Sequence, residues 1–201
     1  MGLLREWFGP SREEVWRQLC ERIGAEYVDG GFWNGDQVEA RYRQWTITLD
    51  TYTVSSKDSS TTYTRIRAPY VNADGFRFTF YRRSIFTGLG KLFGMQDIEI
   101  GDGFFDDEFV IQANCEERVR ELLASERIKS LIETQPGIHF EVKDDDGWFG
   151  RDFPEGVDEL YFSTTGVITD LSRLQKLFEL FAEILDELCR MGSAYEDDPG
   201  M

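Results

Sequence analysis

Hydrophobic positions change period along this chain, and each change marks an element. Ser11 and Glu14 have capping-box spacing, and Val15, Leu19 and Ile23 then recur at helical intervals until Gly24, which predicts a helix over residues 11–24. Residues 29–36, rich in glycine and acids, read as a loop. From Val38 the period drops to two. Val38, Ala40 and Tyr42 alternate with Glu39, Arg41 and Arg43, and Trp45, Ile47 and Leu49 alternate with threonines, the pattern of half-buried strands. Tyr52 and Val54 continue on the other parity, which predicts a bulge or strong bend near Asp50. Beyond a polar turn at 55–60, Thr62, Thr64, Ile66 and Ala68 oppose Tyr63, Arg65 and Arg67. A turn at 72–75 leads to a strand in which Phe76, Phe78 and Phe80 oppose Arg77, Thr79 and Tyr81.

The second half of the chain mixes both periods. A glycine-punctuated apolar loop, residues 84–95, precedes a short segment at 97–100 and a strand over Phe109–Gln112. Asn114 and Glu117 have capping-box spacing and open a helical insertion over about 115–133, which Pro136 and Gly137 stop. Ile138, Phe140 and Val142 read as a strand, residues 144–156 as a long connection, and Leu160–Thr164 as the last strand. Leu171, Leu174, Leu177, Phe178, Phe181, Ile184, Leu185 and Leu188 line one side of a helix over about 170–191, capped by Thr169 or Asp170 and stopped by Gly192. The order implies a single α+β domain over residues 1–192, with a mostly antiparallel sheet or a pleckstrin-homology-like barrel of about seven strands. Residues 193–201 read as an acidic tail that frays.

Charge changes this picture by being segregated. The formal net charge is -16, yet residues 38–83 hold eight bases, seven of them arginines, against four acids. Residues 96–201 hold nine bases against 27 acids. An acidic whole argues against nonspecific nucleic-acid binding, which needs a dominant basic surface. The apolar runs are shorter than the roughly 20 residues of a membrane-spanning helix, so no integral membrane protein is expected. The first residues carry no secretory signature, and the odd set Cys20, Cys115 and Cys189, without CxxC spacing, reads as reduced thiols of a cytoplasmic protein.

Alternation places Arg41, Arg43, Arg65, Arg67 and Arg77 on the outer sheet face with Tyr63 and Tyr81, a basic patch suited to carboxylate or phosphate groups. The competing reading is that these arginines pair with acids across strands or from the C-terminal half. Phe86, Leu89, Lys91 and Phe93 of the apolar loop, with Trp148, form a candidate secondary contact, unless that loop folds back over the sheet. No phosphate-binding glycine motif is present: Ile85 stands where its first glycine belongs, and Leu92 follows Lys91. Asp144, Asp145 and Asp146 lack the alternating ligands of a calcium loop, and the single histidine, His139, has no patterned partner for catalysis or zinc. No cofactor or metal is called for.

The stretch Phe105–Leu123 resembles a motif of bacterial proteins of unknown function, in which an F-D-x-x-F strand start leads through a polar turn into a helix. Phe105, Asp106, Phe109, Val110, Asn114, Arg118 and Leu122 carry the likeness. It implies a bacterial origin and no activity; Asp106 by itself reads as a carboxylate satisfying turn amides. The reading of the whole is a non-enzymatic binding protein that presents the arginine face to an anionic ligand or acidic protein. Two alternatives stay open: a small-molecule or sugar-active hydrolase using acids near 144–156 with Trp148 and Phe153, and a homo-oligomer docked through the stripe of the last helix.

Overall fold

The structure, a computed structural model, describes residues 10–31, 35–57, 59–85, 96–144 and 153–200. Helix α1 (Arg12–Ile23) carries the expected capping box: Ser11 Oγ accepts from the Glu14 amide, and Glu14 accepts from the Ser11 amide. It ends at Gly24, whose φ of 70° is open to a residue without Cβ. Strands β1 (Glu26–Val28), β2 (Gln37–Tyr42), β3 (Trp45–Ser55) and β4 (Ser60–Asn72) follow as a meander. Next come β5 (Phe78–Arg82), β6 (Gln96–Ile98), helix α2 (Gly103–Glu108), β7 (Phe109–Ala113), helices α3 (Glu116–Leu122) and α4 (Glu126–Glu133), and β8 (His139–Lys143). Strand β9 (Val157–Thr165), helix α5 (Leu171–Arg190) and β10 (Ala194–Tyr195) close the chain.

The α+β class with a large antiparallel sheet, an N-terminal helix, a helical insertion and a long C-terminal helix matches the expectation. The sheet is larger than foreseen and open. Among the described residues ten strands join it in the order β1-β2-β3-β4-β9-β8-β5-β7-β6, with β10 beside β4, so β1 and β6 lie at opposite edges and no barrel closes. The hairpin β8–β9 is inserted between β4 and β5, consecutive strands that therefore never touch as neighbours.

One face of this sheet carries the core. Val38, Ala40, Trp45, Ile47, Leu49, Ile66, Ala68, Phe78, Phe80, Phe140, Leu160 and Phe162 are buried there. Phe140 stacks on Phe80 with ring centres 4.9 Å apart and meets Phe181 of α5 at 5.0 Å. The stripe of α5 is consumed in this packing: Leu174, Leu177, Phe178, Phe181, Ile184, Leu185 and Leu188 are buried in the core of their own chain. It is therefore no docking face for a second copy. Asp170, one of the two expected caps, accepts from the Arg173 amide.

Three local expectations are corrected. The register of β3 with β4 runs unbroken from Thr48↔Arg67 to Ser55↔Ser60, so there is no bulge at Asp50. The parity changes because β3 runs past the helical layer: inward Leu49 is its last core residue, while Tyr52 on the outer side stacks on Tyr63 at 5.1 Å. Helix α3 has Cys115 as its N-cap, with no side-chain cap bond, because Asn114 is used elsewhere: it accepts from the Arg77 amide and donates to the Gly75 carbonyl. The tail expected to fray returns to the sheet, with Ala194 and Tyr195 paired to Asn72 and Val71 and Ser193 buried at 1% exposure. The reading of Asp106 holds, since its carboxylate accepts from the amides of Ile100 and Gly101 at 2.9 Å each.

Candidate functional site

On the face opposite the core, strand alternation brings Arg41 from β2, Thr46, Thr48 and Asp50 from β3, Arg65 and Arg67 from β4, and Tyr161 from β9 to one side. Asp50 lies at the centre. Its carboxylate accepts two bonds from Arg65, at 2.8 Å each, and one from Arg67 at 2.9 Å, and it is 4% exposed. Burial works against charge on Arg65, yet the Asp50 bonds outweigh it and hold the guanidinium above its ordinary value. Arg65 also lies over the ring of Tyr52, 5.1 Å from its centre, and Tyr52 accepts a long bond from the Tyr161 hydroxyl. Burial first, and then that bond, push Tyr161 well above the usual phenol range. Lys143 lies 3.3 Å over the centre of the Tyr161 ring.

The expected patch is thus only partly assembled. Arg41, Arg65 and Arg67 share the outer face, and Tyr63 joins them through Tyr52. Arg43 occupies the β2–β3 turn with φ 51° and pairs with Asp186 and Glu196. Arg77, just before β5, reaches Asp158 and Asp144, 81 and 67 positions further along the chain. Tyr81 is buried beyond β8, edge-on to His139. Phe86, Leu89, Lys91, Phe93 and Trp148 lie outside the described residues. Of the seven arginines in the basic segment, Arg41 and Arg83 alone have no carboxylate at ion-pair distance among the described residues. Arg83 is committed to the carbonyls of Asp106, Asp107 and Phe109. Arg41 is exposed and donates to Thr46 Oγ1 alone among the described residues, at 2.9 Å.

Arg41 lines a groove of about 640 Å3 that crosses β2, β3 and β4. Its floor is polar, made by Gln37, Glu39, Gln44, Thr46 and Thr48, with Glu39 directly across from Thr48, and Arg67 and Pro69 come from β4. Two strand spacings separate β2 from β4, roughly 10 Å, and Arg67 is held by Asp50, so Arg41 is the groove arginine with uncommitted donors. Phe153, Glu39, Glu159, Asp198 and Pro199 complete the lining. The outward threonines of β3 could have been read from alternation; Asp198 and Pro199 could not, since nothing local in the tail says where it returns. A smaller groove of about 410 Å3 lies on the other side of Asp50, between Asp29, Thr51 and Arg65.

The described residues offer little reaction chemistry. No cluster of three or more His, Cys, Asp or Glu side chains able to hold a metal occurs among them. His139 sits half-buried on β8, 3.8 Å from Glu141, and burial depresses its pKa below the ordinary imidazole value. The three cysteines are free. No helix of the described residues is long and apolar enough to cross a membrane.

No family model matches the chain, and no curated protein matches it. Among solved structures, the crystal structure of the mycobacterial trehalose monomycolate transport factor A, TtfA, is similar, with a TM-score of 0.52 over 88% of this chain and 94% of that one. At 8% sequence identity the likeness is one of fold, an open antiparallel sheet with helices, and carries no residue of the groove with it.

Proposed function

We propose that this protein is a non-enzymatic binding protein whose outer-face groove takes a small ligand bearing a carboxylate or phosphate group, with Arg41 as the anchor. The observation that carries the reading is the state of Arg41: an exposed guanidinium in a groove, with one neutral partner and no carboxylate at ion-pair distance among the described residues. A planar guanidinium with unspent donors suits bidentate binding of such anions. Glu39, Glu159 and Asp198 line the same groove, which excludes a bare anion on electrostatic grounds and favours one that also carries hydroxyl donors. Citrate and glucose 6-phosphate are therefore the probes. In titration calorimetry, Arg41→Ala should weaken either probe about tenfold or more, the size of a lost charge-assisted contact. Raising the salt should weaken wild-type binding. Equal binding by wild type and Arg41→Ala, or no binding by either, overturns the proposal, and binding by an acidic polypeptide alone would move it to a protein partner.

Glu39, Glu159 and Asp198, which line the groove together with Phe153, also support a second reading, a hydrolase of glycosidic bonds, which works with a pair of acids flanking the bond. Turnover of chromogenic glycosides that Glu159→Gln abolishes would establish it. Absence of turnover leaves the binding reading.

A further inference from the structure

Beyond α5 the chain is held in two different ways, and the difference bears on the groove. The first stretch is anchored. Ser193 donates its hydroxyl to Asp74 and its amide to the Leu188 carbonyl, its carbonyl accepts from the Ala73 amide, and Ala194 and Tyr195 pair with β4. The next stretch, residues 196–200, carries three acids in succession, Glu196, Asp197 and Asp198. It borders the groove: Glu196 pairs with Arg43 of the β2–β3 turn at 2.9 Å, and Asp198 and Pro199 form part of the lining to which Arg41 and Arg67 also belong. Its hold is slight. Both side chains of the Arg43–Glu196 pair are nearly half exposed, at 43% and 46%, and the Asp198 carboxylate is satisfied within the segment by the Gly200 amide. An exposed pair of this kind favours the closed arrangement by a factor of about five or less.

We propose that residues 196–200 are an acidic strap, an internal competitor that lies in the groove until an anionic ligand displaces it. The proposal rests on the reading of the groove as an anion site. The strap and the ligand both bring negative charge into the groove that Arg41 and Arg67 line, so they exclude one another electrostatically. Affinity is then reduced by the fraction of molecules in which the strap is closed. The anchor at Ser193–Tyr195 keeps the displaced segment local and ready to return.

The test uses citrate and glucose 6-phosphate with three variants of the full chain: a truncation after Tyr195, the charge-neutralised pair Glu196→Gln and Asp198→Asn, and Arg41→Ala. The truncation should bind up to about sixfold more tightly than wild type, the limit set by a closed arrangement favoured about fivefold. The neutralised pair, which keeps the segment and its bulk, should gain most of that factor and serves if the truncation misfolds. In 15N heteronuclear NOE measurements on the wild type, residues 196–200 should become more mobile at saturating probe while residues 193–195 do not. Binding that depends on Arg41 but is equal in wild type, truncation and neutralised pair overturns the strap and leaves the groove. A gain in affinity with unchanged NOE values also overturns it, since the acids then act as fixed charges. No binding by any variant overturns both.

Discussion

Replacing Asp50 with Asn tests whether the arginine face is held together by one buried carboxylate. The Asp50 side chain is 6% exposed and its carboxylate accepts three guanidinium bonds at 2.8, 2.8 and 2.9 Å, from residues two apart on β4. Losing the charge leaves two cations side by side on one strand without their shared counter-ion. Breaking a buried ion pair by removing one partner costs about 3–5 kcal/mol. Arg65 and Arg67 keep 24% and 23% of their side-chain surface exposed and recruit water when released, which places the cost near the low end, about 3 kcal/mol. For a chain of this size that lowers the melting temperature by about 6–12 °C. Urea unfolding followed by circular dichroism gives the free energy, with Arg41→Ala as the control expected to stay within about 0.5 kcal/mol of wild type. A loss below about 1 kcal/mol for Asp50→Asn, or one that equals the Arg41→Ala effect, would refute the assignment of Arg65 and Arg67 to structure and of Arg41 to binding.

Two further outcomes follow from the same geometry. Truncating Phe140 to Ala removes a ring stacked on Phe80 and packed on Phe181, and should cost about 3–5 kcal/mol in the same urea assay. His139 titrates below its ordinary value because burial disfavours the imidazolium; among the charged groups around it, Glu141 opposes this and Lys143 adds to it. A depressed folded pKa means that the unfolded chain binds the proton more readily, so the contribution to stability is present above the unfolded value of about 6.5 and is lost as pH falls below it. Stability measured from pH 7.5 to 5 should therefore decline more steeply for wild type than for His139→Gln, and parallel profiles would contradict the role of burial.

Period alone locates most of these elements. The capping box at Ser11 and Glu14, the stop at Gly24, the stripe of α5 and the alternation in β2 to β4 are local properties, and the same physics that makes them recognisable makes them fold. Alternation also put Arg41, Arg65 and Arg67 on the outer face, because a strand turns successive side chains to opposite sides whatever its neighbours are. What alternation leaves open is which strands become neighbours. Inserting β8–β9 between β4 and β5 is a choice among long-range pairings, and it decides that Asp158 meets Arg77 and that Tyr81 lies far from Arg65. Asp50 could be seen only as a break in pattern, since its meaning depends on two arginines arriving from the next strand. The segregated charge of the sequence is largely neutralised in space, Arg43 by Asp186 and Glu196, Arg77 by Asp144 and Asp158. The sequence thus determined the elements and the faces, which local sterics and burial dictate. The tertiary structure decided which cations keep donors free, because pairing is settled by distances that close only when remote strands and the tail come together.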